Sequence, residues 1–169
     1  MDSQKHPWAL SRLVTLISDS QPAKLLASKL KNSRTEVLAP AGAHYSITAL
    51  VSSLMTNSDA GSVQLLVVAT GRECEDASAE LKSFMPNLEL LEYPSWETLP
   101  HERLSPSPET VGKRLRVLHR LHELSQPDGQ PNHPVVVLAS VRAVLQPVVG
   151  GLADHPPLQL KVGSDYLLP

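Results

Sequence analysis

Apolar residues along this chain switch between helical spacing and short unbroken runs, a pattern that predicts helices alternating with buried strands. Helical spacing predicts a helix over residues 8–19 and a second over 21–30, with Pro22 near its start. The run at 63–68 is broken only by Gln64, so we expect a parallel strand that is covered on both faces. Short apolar runs predict strands at 36–39, 63–68, 88–93, 135–139 and 158–162.

Helices are predicted in the connections between these strands. The first covers about 42–56, and the second begins near Thr70-Gly71. Its apolar stripe consists of Ala77, Leu81 and Phe84. Alternation of strands and helices predicts an α/β fold, with a mainly parallel sheet flanked by helices and right-handed crossovers.

Two further helices follow the third predicted strand. Ser107-Pro108-Glu109 reads as a capping residue, a proline at the first helical position and an acid next, and the helix runs to about Leu124. A short helix capped by Ser140 ends before Pro147. The apolar stripe of the longer helix is predicted at Val111, Leu115, Leu118 and Leu121.

The turn after the first predicted strand resembles a phosphate-binding loop that lacks its essential residues. In the pattern G-x-x-x-x-G-K-[ST], Ala39 and His44 replace the glycines, Tyr45 replaces the lysine, and only Ser46 fits. Without the lysine, no cation reaches the β- and γ-phosphates. The turn keeps Gly42, and backbone N–H groups at a helix start can bind phosphate, but we interpret the loop as a degenerate P-loop with a packing role.

Composition narrows the function classes further. A chain of 169 residues, 41% of them apolar, suits one domain with a sizeable core. A net charge of −2 gives no overall attraction to nucleic acid or anionic lipid. The single Cys74 cannot form an internal disulfide, which fits a cytoplasmic location. No apolar run is long enough to span a membrane, and the end at 164–169 suggests a fragment of a longer protein.

Three segments of the chain together carry the motifs of one family. Tyr93–Pro106 contains a W-E-T-L-P element followed by S-P. This stretch resembles the signature of the bacterial transcription-repair coupling factor family (Mfd), and the helix over Val111–Leu121 continues the match. Val135–Leu145 is similar to the V-V-V-x-A-S-V segment that the family shares with the excision-repair protein UvrB. The degenerate loop at 39–46 stands where UvrB has a working P-loop.

The resemblance covers about residues 35–165 and implies the N-terminal part of a UvrB-like module. Helical spacing predicts N-terminal helices over 1–34, and the resemblance implies a first α/β subdomain over 35–157 and the truncated start of the next subdomain over 158–169. UvrB inserts a long DNA-gripping β-hairpin after its third strand. Only a short proline-rich stretch separates Tyr93 from Ser107, which favours the coupling factor over UvrB.

What the resemblance implies for function differs between the fragment and the whole protein. The whole protein would be an ATP-hydrolysing DNA translocase of helicase superfamily 2. It would use ATP and magnesium to displace stalled RNA polymerase from duplex DNA, and would recruit UvrA through the subdomain that follows. This fragment would be a non-catalytic scaffold that packs on other domains of the same protein, without a cofactor of its own.

Candidate contact residues lie in the proline-rich stretch and on the helix after it. Trp96, Leu99 and Pro100 are interpreted either as a docking surface for another domain or as a loop folded onto its own core. Arg116 and Arg120 share a helix face with Lys113, either for phosphate or interdomain contact or as a solvated face. Nucleotide binding and DNA binding therefore remain alternative functions.

Metal binding is not expected, because the spacing is irregular among His101, His119, His122, His133 and His155.

Overall fold

The computed structural model of the chain describes residues 10–32, 63–98, 105–129, 131, 133–148, 150 and 162–163. The strand predicted at 36–39, the helix predicted at 42–56 and the degenerate loop at 39–46 lie outside these residues. So do Leu99, Pro100 and most of the strand predicted at 158–162, whose last residue, Val162, lies in a turn. The predicted domain boundaries stay predictions.

The described residues form a three-layer α/β arrangement, which confirms the predicted fold class. Two N-terminal helices precede strands and helices that alternate along the chain. The elements are α1 (Ser11–Ser18), α2 (Gln21–Asn32), β1 (Val63–Val68), α3 (Gly71–Phe84), β2 (Glu89–Tyr93), α4 (Pro108–Ser125), β3 (Val135–Ser140) and α5 (Val141–Leu145).

The three described strands form a parallel sheet in the order β1-β3-β2. Because β3 lies between the other two strands, it is the strand that both helical layers cover. All six of its residues are buried, and Val135, Val136 and Ala139 are fully inaccessible to solvent. A run of Val, Leu and Ala without a charge is what such a position requires.

One helical layer packs on the side of the sheet that we call the α3 face. Ala77 and Leu81 of α3 are 0% exposed and pack against Leu138 and Val136 of β3. Val14 of α1 joins the same layer. The predicted stripe of α3 is thereby confirmed.

The opposite side, the α4 face, is covered by α4 over β2 and β3. Val117 of α4 packs with Tyr93, Val137 and Ala139. The predicted stripe of this helix is wrong at one position, because Leu115 is 38% exposed. The buried residues of α4 are Thr110, Arg114 and Val117, since the helix is rotated so that an arginine faces inward.

The expectation that β1 is covered on both faces is also wrong for the described structure. Val63, Leu65 and Val67 lie on the α4 face, in register with Val135, Val137 and Ala139 of β3, and they are 38%, 58% and 41% exposed. Among the described residues, only the α3 face of β1 is covered, because α4 lies over the other end of the sheet.

None of the described helices is long and apolar enough to cross a membrane.

The packing of α3 predicts a large difference between two leucines. Leu81→Ala should lower the free energy of unfolding by about 2–5 kcal/mol, because it leaves a cavity against β3. Leu115→Ala, at a half-exposed position of α4, serves as the matched control and should cost less than half as much. Urea unfolding followed by circular dichroism measures both. Equal losses would contradict the described core.

Candidate functional site: a clamped loop at the carboxyl edge of the sheet

The carboxyl ends of the three parallel strands meet at one edge, where open α/β sheets usually bind their ligands. Thr70 follows β1, Pro94 follows β2 and Ser140 ends β3. Two helices, α3 and α5, begin at this edge, and the loop after β2 leads from it to α4. The chemistry available at this edge therefore depends on what occupies the helix starts and on how the loop is held.

Side chains of the chain itself occupy the starts of α3 and α5. The Thr70 hydroxyl accepts a hydrogen bond from the backbone N–H of Glu73 at 3.2 Å. The Glu73 carboxylate in turn accepts from the backbone N–H of Ala69 at 3.3 Å and from the Thr70 hydroxyl at 3.2 Å. Ser140 caps α5 by accepting from Ala143 at 3.3 Å. A carboxylate thus already lies where an anionic ligand would bind at the start of α3.

A glutamate from the loop occupies the start of α4 in the same way. Glu97 Oε2 accepts a hydrogen bond from the backbone N–H of Ser107 at 3.0 Å. Its Oε1 accepts from the hydroxyls of Thr110 at 2.7 Å and Ser107 at 2.9 Å. Ser107 also caps the helix directly, because its hydroxyl accepts from the Thr110 N–H at 3.2 Å. Glu97 therefore closes the loop back onto the helix that follows it.

These hydrogen bonds favour the ionised form of Glu97. The Thr110 hydroxyl is the largest cause, and the backbone and hydroxyl of Ser107 add to it, so the pKa of Glu97 lies below its ordinary value of 4.5. A carboxylate at the start of a helix is also favoured by the helix dipole.

The centre of the loop is clamped by a buried arginine. Cζ of Arg114 lies 4.1 Å from the ring centroid of Tyr93 and 4.2 Å from that of Trp96. Its Nη1 donates a hydrogen bond to the carbonyl oxygen of Pro94 at 2.8 Å. Arg114 is only 2% exposed and Tyr93 only 9%. The guanidinium thus joins β2, the loop and α4 in a stack, which we call the Arg114 stack.

Burying this cation has a cost that the aromatic rings offset. Loss of solvation lowers the pKa of Arg114, because the charged form is disfavoured away from water. The negative faces of the two rings attract the guanidinium, each contact being worth about 0.5–2 kcal/mol. Within the described part of the chain, Nη2 of Arg114 and the hydroxyl of Tyr93 have no hydrogen-bond partner. The stack therefore depends on ring contacts more than on polar pairing.

A third contact ties the loop to the segment after α5. The Gln146 side-chain oxygen accepts a hydrogen bond from the backbone N–H of Trp96 at 2.6 Å, and its amide nitrogen donates to the Trp96 carbonyl at 3.5 Å. A side-chain amide thus pairs with the backbone of Trp96 as a neighbouring strand would. Trp96 is half-buried and packs on its own domain, although a contact with another domain through its remaining exposed part stays a prediction.

The basic residues predicted on α4 are mostly engaged within the chain. Arg120 makes a two-pronged ion pair with Glu89 of β2, at 2.7 and 3.0 Å, and Lys113 pairs with Glu109 at 2.8 Å. Arg116 is exposed, and the described residues offer it no ion pair. Of the three cations predicted on this face, only Arg116 has no ion pair within the described residues. A single such arginine gives little support to the hypothesis that α4 binds DNA.

Glu89 is the centre of a larger network at the other end of α4. His133 approaches its Oε2 at 2.9 Å, and Arg120 also bonds Glu123, which His119 contacts at 3.1 Å. The hydrogen bonds from Arg120 are the largest cause of a lowered pKa for Glu89. Two of the predicted histidines, His119 and His133, thus contact carboxylates, and no group of metal-ligating side chains occurs in the residues that the structure describes.

Sequence reasoning missed the residues that hold the site, namely Glu97, Arg114 and Gln146. One signal was available: Thr110, Arg114, Val117 and Leu121 follow each other at helical spacing, so an arginine stands on the buried stripe. Its aromatic partner Tyr93 lies 21 positions earlier in the chain, beyond the reach of a periodicity argument.

Comparison with known proteins finds similar sequences in one family. The chain is 49% identical over 102 residues to the transcription-repair-coupling factors of Mycobacterium bovis and Mycobacterium tuberculosis. These matches confirm the resemblance to the transcription-repair coupling factor family over 60% of the chain. The matched segment spans only 8% of the length of each relative. No protein-family model matches the chain.

The Arg114 stack predicts that lysine cannot replace arginine. Arg114→Lys keeps a charge but loses the flat group that fills the space between the rings, so it should lower the free energy of unfolding by about 2 kcal/mol. Arg116→Lys, two positions along on the exposed face, is the control and should change it by less than about 0.5 kcal/mol. Urea unfolding of both variants provides the measurement. Wild-type stability of the Arg114 variant would show that the stack is dispensable.

The Glu97 cap predicts a dependence of stability on pH. Because the folded pKa is depressed, the carboxylate contributes stability above its unfolded pKa of about 4.5, and the contribution is lost as pH falls through the lower folded value. Wild type should therefore be more stable than Glu97→Gln at pH 7, and the gap should shrink below pH 4.5. Unfolding midpoints at several pH values test this. A gap that is constant with pH would contradict the ionic cap.

Proposed function

We propose that this chain is a non-catalytic scaffold from the N-terminal part of a transcription-repair coupling factor, the first subdomain of its UvrB-like module. The 49% identity over 102 residues to two such factors is the observation that carries the proposal. The W-E-T-L-P element agrees with it, because this element resembles the signature stretch of that family.

In this proposal the intact protein hydrolyses ATP in domains other than this one. It is an ATP-hydrolysing translocase on duplex DNA that displaces stalled RNA polymerase and recruits UvrA through the subdomain following this one. ATP and magnesium bind to its motor, and a cytoplasmic location goes with these partners. The role of this fragment is to position the following subdomain and to pack on other domains.

The physical support for a non-catalytic role is that, in the described residues, side chains of the chain itself occupy the carboxyl edge of the sheet. Thr70 with Glu73, and Ser140, cap the two described helices that begin there, and Glu97 closes the loop after β2. None of these groups is a cation that could hold a triphosphate. The degenerate loop with Tyr45 in the lysine position lies outside the described residues, and we propose that it binds no nucleotide.

A deletion in the intact protein tests whether this fragment is needed for UvrA recruitment but not for ATP hydrolysis. Removal of residues 1–169 should leave ATP hydrolysis and displacement of a stalled polymerase within about twofold of wild type, because the motor lies elsewhere. Recruitment of UvrA should fall strongly, because the subdomain that contacts it loses its support. Loss of ATP hydrolysis would contradict the proposal.

A companion measurement uses this chain alone. Titration of ATP with magnesium, read by calorimetry, should give no binding heat, and Tyr45→Lys is the matched variant that restores the P-loop cation. Micromolar binding by the unmodified chain would favour the alternative of a nucleotide-binding module.

A further inference from the structure

The chain leaves the described sheet through α5, which is too short to fix the direction of the chain by itself. The helix has five residues, and helices of this length are not stable in water without tertiary contacts. Ala143 is its buried residue, whereas Val144 is 44% and Leu145 is 79% exposed. The path of the chain after α5 therefore depends on contacts made by the residues that follow the helix.

Gln146, the residue directly after α5, makes such a contact. Its neighbours Val144, Leu145, Pro147 and Val148 are all exposed, whereas Gln146 is half-buried. Its side-chain oxygen accepts a hydrogen bond from the backbone N–H of Trp96 at 2.6 Å, and its nitrogen donates to the carbonyl of the same residue at 3.5 Å. A side-chain amide supplies both the acceptor and the donor that this pairing requires.

The partner of Gln146 is a fixed point in the structure, because Trp96 is held by two separate contacts. Its ring lies 4.2 Å from Cζ of Arg114, which is 2% exposed. The next residue, Glu97, bonds to the start of α4. A hydrogen bond that spans 50 positions of the sequence thus joins the end of α5 to the Arg114 stack.

We propose that Gln146 is a latch through which the Arg114 stack sets the path of the chain that leaves the sheet. The segment from Pro147 onward takes its direction from the loop after β2 rather than from α5. Loosening of the stack therefore also releases this segment. The proposal deepens the proposed function and rests on it, because it names the contact by which this fragment positions the subdomain that follows.

The distance between two spin labels tests the latch. One label is attached at Val148→Cys, just after Gln146, and the other at Glu80→Cys, an exposed position of α3. Cys74→Ser removes the native thiol. Pulsed electron paramagnetic resonance should give one narrow distance distribution when Gln146 is present. Gln146→Ala should widen it at least about twofold, because the residues after α5 lose their attachment.

Gln126 provides a matched control, because it too directly follows a helix. Its side-chain nitrogen donates to the carbonyl oxygen of His122, one turn earlier in α4, at 3.4 Å. This contact is local, so Gln126→Ala should leave the distance distribution unchanged. A Gln146→Ala distribution that is no wider than that of Gln126→Ala would overturn the proposal.

Two changes in the loop and its clamp test whether the stack controls the latch. Arg114→Lys removes the flat group on which Trp96 lies, so it should widen the same distribution. Glu97→Gln weakens the attachment of the loop to α4 without altering the buried stack, and it should act in the same direction. Circular dichroism shows that each variant is folded. A narrow distribution in both folded variants would overturn the link between the stack and the latch.

Recruitment of UvrA by the intact protein separates the latch from the proposed function. Gln146→Ala should lower recruitment, whereas Gln126→Ala should not. A wider distance distribution without loss of recruitment would support the latch and contradict the proposed positioning of the following subdomain. Loss of recruitment without a wider distribution would overturn the latch.

Discussion

The contact on which the carboxyl edge depends is the burial of the Arg114 guanidinium between Tyr93 and Trp96. A cation that is 2% exposed is costly unless something replaces water around it. Two aromatic faces and the Pro94 carbonyl do so here, and they come from the strand and the loop that α4 must meet. The same contact that solvates the arginine therefore fixes the position of the loop.

The rest of the loop follows from that placement. With Trp96 held on Arg114, its backbone pairs with Gln146, and the next residue, Glu97, reaches the start of α4. Each tether uses a group that would otherwise be available to a ligand: a cation, a backbone N–H and a helix start. In the described residues, an edge at which open α/β sheets usually bind ligands is used for internal contacts, and this use supports the proposed scaffold role.

Features that depend on residues close together in the sequence could be predicted, whereas contacts between residues far apart in the sequence could not. Helices and strands came from local spacing, and Ser107 and Ser140 came from local capping rules, so those that fall in the described residues were confirmed to within a few residues. The stripe of α4 was wrong at Leu115 because spacing alone treats arginine as an outward residue. Only the approach of Tyr93 and Trp96 makes Arg114 an inward one, and that approach is a property of the folded chain. The cover of β1 was mispredicted for a related reason, since composition describes what a strand needs but not which segment supplies it.

A double-mutant cycle tests the central claim most directly, with Arg114→Met, Trp96→Leu and the double variant compared by urea unfolding. If Arg114 and Trp96 form one contact, the double variant should lose less stability than the sum of the single losses, by about 1–2 kcal/mol. Additive losses would show that the two residues act independently and would contradict the clamp on which this account of the site depends.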